Sequence, residues 1–195
     1  MLRKRVSAMK KIVVAVTGAS GMPLSVTLLK ELASTSQVEI HLIVSDAAKT
    51  VLELESELTL EQLTTYAHSV YTQDEFGAAP ASGSWLHDGM IVCPCSMASL
   101  GAIANGIGSN LIHRAADVTL KERRKLILVP RETPLNRIHL QNMLNATDAG
   151  ALIMPPTPGF YSKPETIDDI CNHLVGRMLD HFSIEHSLVK RWNGL

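Results

Sequence analysis

Apolar positions along the chain fall into short β-branched runs, separated by stretches in which they recur every three or four residues. Ile12 to Val16 is the first run and predicts a buried strand. It ends in the small-residue turn Thr17-Gly18-Ala19-Ser20-Gly21, after which Pro23 opens a helix carrying Leu24, Leu28, Leu29 and Leu32. Val38 to Val44 predicts a second strand, followed by a helix that Ser45 caps and that runs through Ala47, Ala48, Val51 and Leu52. Thr59 and Gln62 have the spacing of a capping box, so a short helix starts there. Met90 to Cys93 predicts a third strand that breaks at Pro94, and Ser96 caps a helix through Leu100, Ile103 and Ala104 that ends near Asn105-Gly106. Leu111 to Arg124 reads as helix with a basic end, and Lys125 to Val129 as a fourth strand closed by Pro130. A helix from Thr133-Pro134 to Ala149 stops at Gly150, before a fifth strand, Ala151 to Met154, closed by Pro155-Pro156. The last helix, Thr166 to Phe182, carries Ile167, Ile170, Leu174, Met178, Leu179 and Phe182 at the spacing of a packed face. Asp74 to Ser84 lacks periodicity and predicts a long loop, of the length that is more often functional than not.

Strands separated by helix-length segments imply right-handed parallel β-α-β units, hence an α/β fold: one Rossmann-like, flavodoxin-like doubly wound parallel sheet. Strand ends at Ser20, Ser45, Pro94, Pro130 and Pro155 then share one carboxyl edge, where such sheets bind ligands. A chain of 195 residues suits one domain, with residues 10–195 forming it and residues 1–9 a loose extension in which Met9 is an alternative start.

A net charge of −1 with 19% charged residues offers no basic field for nucleic acid and no acidic tail. Three cysteines, two of them in Cys93-Pro94-Cys95, fit a reducing compartment better than a disulfide framework, and the pair lacks the further ligands of a zinc site. Leu2-Arg3-Lys4-Arg5 before the run at Ile12 imitates a signal peptide, but the run is too short and Lys10-Lys11 directly precedes it. No segment reaches membrane-spanning length, so the expectation is a cytoplasmic protein.

Several groups on the expected ligand edge carry chemistry. The Gly18 to Gly21 turn lacks the G-x-G-x-x-G spacing of dinucleotide folds, and reads either as a plain connection or as a backbone site for a phosphate. Arg131-Glu132-Thr133-Pro134 puts a cation and a carboxylate beside a helix start, which a surface ion pair and a cap would also explain. Arg114 and Lys121, seven apart, share one side of a helix near Arg123, Arg124 and Lys125. They form either a solvated helix end or a clamp for a departing phosphate. Glu55, between Glu53 and Glu57, reads as an ordinary exposed acid when taken alone. The loop Gly159-Phe160-Tyr161 between Pro158 and Pro164 is stiff, and its aromatics either cover the core or offer a hydroxyl to a ligand.

Taken together, six motifs resemble those of the UbiX-type flavin prenyltransferases, within a wider group of flavin-binding Rossmann-like proteins that includes cysteine decarboxylases. They are Thr17-Gly18-Ala19-Ser20-Gly21, Pro80-Ala81-Ser82-Gly83-Ser84, Cys93-Pro94-Cys95-Ser96, Arg114 to Arg124, Pro130-Arg131-Glu132-Thr133-Pro134, and Met154-Pro155-Pro156 with Gly159-Phe160-Tyr161, in order from about Lys10 to Trp192.

The resemblance implies that residues 10–195 bind FMN through Gly18, Ala19, Ser20, Ser45, Ser96, Met97, Ala98, Ser99 and Arg131. It implies that Arg114, Lys121, Tyr161, Arg177 and Trp192 hold dimethylallyl phosphate, with Ser20, Glu55, Lys121 and Glu132 as catalytic residues and no metal. The implied reaction joins a five-carbon unit to N5 and C6 of reduced FMN, for use by a partner decarboxylase of the ubiquinone or aromatic-acid type. It also implies a homo-oligomer, a dodecamer by analogy, with pockets between subunits. Met22-Pro23-Leu24-Ser25 stands where relatives often carry an aromatic and a glycine, Asp46 where a lysine is usual, and Met97-Ala98-Ser99 replaces a threonine-rich run. Two rivals are a flavin-dependent decarboxylase acting directly on an aromatic acid or a peptidyl cysteine, and a noncatalytic FMN carrier. The first, in its cysteine-decarboxylase form, would want a cysteine on a C-terminal flap; Cys171 falls in the last helix instead.

Overall fold

The computed structural model describes residues 9–189, 191 and 194. Its centre is β1 (Lys10–Val16), hydrogen-bonded in parallel to β2 (Val38–Val44) on one side and to β4 (Gly89–Cys95) on the other. A strand in that position is covered on both faces, which is why its sequence is continuously apolar rather than alternating. Ile12, Val14 and Val16 point to one layer, formed by α1 (Met22–Ser34), α2 (Asp46–Glu55) and α7 (Ile167–His181). Val13 and Ala15 point to the other, formed by α4 (Met97–Ala104), α5 (Leu111–Lys121) and α6 (Arg137–Asp148). The two faces of the sheet therefore close two separate apolar cores.

β5 (Lys125–Pro130) and β6 (Leu152–Ile153) extend the sheet beyond β4. The pattern of apolar runs anticipates these five strands, whose order matches the flavodoxin type. A further strand, β3 (Ser69–Thr72), pairs with β2 at the opposite edge and gives the order β3-β2-β1-β4-β5-β6 among the described residues. Its four residues alternate between half-buried and exposed, with Val70 facing out, so they offered no apolar run to read. The reversal of strand order still lies between β1 and β4, the place at which sheets of this kind bind ligands.

Most predicted helix starts are present. Ser45 accepts from the Ala48 N–H, Ser96 from the Ser99 N–H, and Thr59 and Gln62 form their capping box at the start of α3 (Leu60–Thr64). Several boundaries and one packed face differ, and the fifth predicted strand shortens to Leu152–Ile153. β4 runs through Pro94 to Cys95, because its ladder with β1 has ended at Val92 and its ladder with β5 shifts register between Val92 and Cys95, so the missing N–H goes unneeded. α5 ends at Lys121 rather than Arg124. α6 begins at Arg137 behind an Asn136 cap, not at Thr133-Pro134. On α7, Ile167 is 71% exposed, and the packed face is instead Cys171, Leu174, Val175, Met178, Leu179 and Phe182.

Candidate functional site

At the carboxyl edge four strand ends are tied together by main-chain groups and one hydroxyl. The Thr17 hydroxyl, buried at the end of β1, donates to the Pro94 carbonyl (2.7 Å) and accepts from the Ser96 N–H (2.8 Å). The Ser45 N–H reaches the Val16 carbonyl at 3.1 Å, and the Arg131 N–H reaches the Cys95 carbonyl at 3.3 Å. The loops that carry Ser20, Ser45, Ser96 and Arg131 are thereby fixed relative to one another. Gly18 permits this closeness, since a Cβ there would lie 2.4 Å from Ala47 Cβ. Gly21, at φ 127°, takes a conformation that side chains disfavour.

Glu55, at the end of α2, reaches across to the start of α1. Its Oε2 accepts from the N–H groups of Gly21 (2.8 Å) and Met22 (2.9 Å). Burial pushes its carboxyl upward, but the Ser20 hydroxyl, these two N–H groups and the Arg131 charge together outweigh burial and hold it below its ordinary value. Glu55 is therefore an ionised internal cap for α1, and the positive end of that helix is already compensated. Sequence analysis left open a phosphate site on backbone alone at this turn; two of the donors it would use are taken.

Donors remain close by. The first-turn N–H groups of Asp46 and Ala47 on α2, and of Met97 and Ala98 on α4, have no acceptor among the described residues. Beside them stand the hydroxyls of Ser45, Ser96 and Ser99, the last two joined at 3.1 Å. Two helix starts, three hydroxyls and the Arg131 guanidinium form a donor set that suits the phosphate and polar edge of FMN. Asp46 is turned to other work, paired with Lys49 (2.7 Å) and accepting from the Gln73 amide (2.9 Å). The unusual Met22 and Ser25 belong to packing: both are fully buried, and the Ser25 hydroxyl donates to the Cys93 carbonyl at 2.8 Å. Glu132 is exposed at the β5 end, its carboxylate accepting from the Thr133 N–H.

The remaining expected residues lie elsewhere in the chain. Tyr161 sets its ring edge-on to His173 with centroids 5.8 Å apart, and His173 is one turn from Arg177 on the same face of α7. Arg114 holds the long loop, donating to the Ala81 carbonyl (3.1 Å) and pairing with Asp117 (2.7 Å). Lys121 pairs with Glu122 at the end of α5, just before β5 starts at Lys125. Lys125 is level with Gly89, and Gly89 with Ile12, so Lys121 sits at the amino edge whereas Ser20 follows the other end of β1. The expectation that Lys121 shares the ligand edge with Ser20 is corrected for a single chain. Trp192 lies outside the described residues.

Two contributors escaped the sequence reading. Thr17 carried no signal beyond its place in the turn. Arg124, read only as part of a basic helix end, clasps the loop by donating to the carbonyls of Gly83 (2.8 Å) and Trp85 (2.9 Å). Cys93 and Cys95 are fully buried and their thiols are pushed up to about 12 by burial, so neither supplies a thiolate. Cys171 is also buried, within α7. Among the described residues no cluster of histidine, cysteine or acid side chains could hold a metal, and no helix is long and apolar enough to cross a membrane.

Comparison with known proteins supplies the family. The flavoprotein family matches residues 2–191. The chain is 50% identical over 186 residues to the flavin prenyltransferase LpdB of Lactiplantibacillus plantarum, covering 95% of this chain and all of the relative. It is similar to a dodecameric FMN-dependent UbiX-like decarboxylase from Escherichia coli O157:H7, with a TM-score of 0.92 and 48% identity over 94% of this chain and all of that one. It is also similar to AnUbiX (PadA1) in complex with FMN and dimethylallyl pyrophosphate, with a TM-score of 0.92 and 46% identity over 96% of this chain and 99% of that one.

Proposed function

The chain belongs to the flavoprotein family and within it to the UbiX-like flavin prenyltransferases, and from that membership we propose that it transfers a dimethylallyl group from dimethylallyl phosphate to N5 and C6 of reduced FMN. The observation that carries the reading into this molecule is the Ser20, Glu55 and Arg131 cluster beside two unfilled helix starts at the carboxyl edge. FMN, when bound, supplies the nucleophilic ring atoms. Gly18, Ala19, Ser20, Ser45, Ser96, Met97, Ala98, Ser99 and Arg131 hold it.

Cleaving an allylic C–O bond puts negative charge on the departing phosphate. Lys121, Arg177 and Tyr161 therefore stabilise the transition state more than the ground state, with Arg114 in the same pocket. We assign the proton that ring closure releases to Glu55 together with the Ser20 hydroxyl bonded to it, and Glu132 acts beside Arg131. Because Lys121 and Ser20 lie at opposite sheet edges of one chain, the complete pocket draws on more than one subunit. The protein accordingly works as a homo-oligomer, dodecameric like its Escherichia coli relative. We place the protein in the cytoplasm, where its product passes to a partner decarboxylase of the ubiquinone or aromatic-acid type.

The test is anaerobic incubation with reduced FMN and dimethylallyl phosphate, followed by mass spectrometry of the extracted flavin. A gain of one C5H8 unit, lost in Lys121→Ala and in Glu132→Gln, is expected. Unaltered flavin from folded, FMN-loaded protein would overturn the reading in favour of a carrier, and substrate-dependent CO2 release would favour direct decarboxylation. The buried Cys171 already lacks the exposed flap position that a cysteine decarboxylase would use.

A further inference from the structure

Beyond α7 the chain turns back on that helix. The Ile184 N–H bonds to the Leu179 carbonyl at 3.1 Å and its side chain is buried. The side chain of His186 is completely enclosed. Its Nδ1 accepts from the Leu188 N–H at 3.2 Å, which puts the proton on Nε2, where it is donated to Asp180 Oδ1 at 3.1 Å. The second carboxylate oxygen of Asp180 takes Arg191 at 2.6 Å. One acid on α7 thus grips the returning segment at two points five residues apart. The helix is also cut to receive it: a Cβ on Gly176 would lie 2.3 Å from Val189 Cγ2 and 2.8 Å from His186 Cε1.

What this segment closes is the Tyr161 side of the molecule. Leu188 and Val189 form one wall of a recess of about 400 Å³ whose other walls include Tyr161, Lys163, Asn172 and His173. Gly176, the notch, immediately precedes Arg177.

We propose that Asp180, His186 and Gly176 are positioning residues that pin residues 184–189 and Arg191 as a strap, shaping the Tyr161 recess and so setting the affinity for the allylic monophosphate without touching it. This rests on the function proposed above, which assigns Tyr161 and Arg177 to that substrate. A strap held by one acid and one notch leaves the FMN donors at the sheet edge untouched, so its loss acts on one ligand only.

The experiment uses the full-length FMN-loaded protein with Asp180→Ala and, independently, Gly176→Ala. Hydrogen exchange of residues 184–189 and Arg191 is measured beside calorimetric affinities for dimethylallyl phosphate and, in stripped protein, for FMN. Expected are faster exchange confined to that segment and an affinity for dimethylallyl phosphate lowered about tenfold in both variants, with FMN affinity unchanged. Exchange that rises while the affinity for dimethylallyl phosphate stays the same overturns the proposal, as does a parallel loss of both ligands. The binding comparison involves no turnover. A wild-type protein that binds dimethylallyl phosphate yet never prenylates FMN therefore refutes the activity and leaves the strap to be judged on its own.

Discussion

Thr17 shows how much one hydroxyl can hold. With only 1% of its surface exposed, it both donates and accepts, joining the end of β1 to the Pro94 and Ser96 main chain. Thr17→Val keeps the volume, takes the acceptor from the half-buried Ser96 N–H and leaves the Pro94 carbonyl only the Thr17 N–H at 3.3 Å, so it should cost about 1–2 kcal/mol in denaturant unfolding and weaken FMN binding through the loosened Ser96 turn. Valine protein as stable as wild type would show that water replaces the hydroxyl. The turn containing Thr17 was legible in the sequence as a strand-to-helix connection; the role of its hydroxyl was not, because Pro94 and Ser96 are far along the chain. Glu55 makes the same point. Neither its spacing nor its flanking acids distinguished it, and only the approach of α2 to α1 makes it a cap.

At the scale of elements, the long loop after β3 is held by side chains from elsewhere, with Arg114 and Arg124 bonding its carbonyls. There His41 meets Trp85 edge-on, and His87 stacks on the same indole. The groups facing these imidazoles are Glu39, Tyr71, Lys11 and His68 around His41, and Asp88 and Arg124 around His87. Burial lowers both histidines below 6.5, and His87 Nε2 has no partner among the described residues. A base whose folded pKa is depressed binds fewer protons in the native state than in the unfolded one. Stability therefore falls as pH drops below about 6.5, and goes on falling until the folded values are passed. The melting temperature should decline from pH 7 to pH 5, and His87→Gln should flatten that decline; equal slopes would remove His87 as a cause. The sequence announced this region as an aperiodic loop and missed β3, because a short edge strand with one face in solvent lacks a hydrophobic run.

For the whole molecule, the doubly wound sheet divides the expected pocket. Ser20, Glu55 and Arg131 gather at the carboxyl edge, while Lys121 ends α5 at the amino edge. If the pocket is completed by a neighbour, inactive Lys121→Ala and inactive Glu55→Gln proteins should regain part of the activity when unfolded together and reassembled, since some sites then receive both intact partners. No recovery in mixed oligomers would mean that one chain supplies both groups. Exposed Ile138, Leu140 and Leu144 on α6 leave this chain with apolar surface that such assembly would cover.

The alternation of apolar runs and helical periods determined the parallel α/β sheet, five of its strands, most caps and the carboxyl edge that the strand ends share. These are properties of neighbours in sequence, set by hydrogen bonds within a turn and by whether a strand is covered on both faces. Long-range approach decided the rest: which N–H groups Glu55 consumes, which loop Arg124 holds, how the segment after α7 returns to it, and that Lys121 stands a full strand length from Ser20. A side chain of five or six atoms acts only on what folding brings to it, and the pattern along the chain does not record that distance.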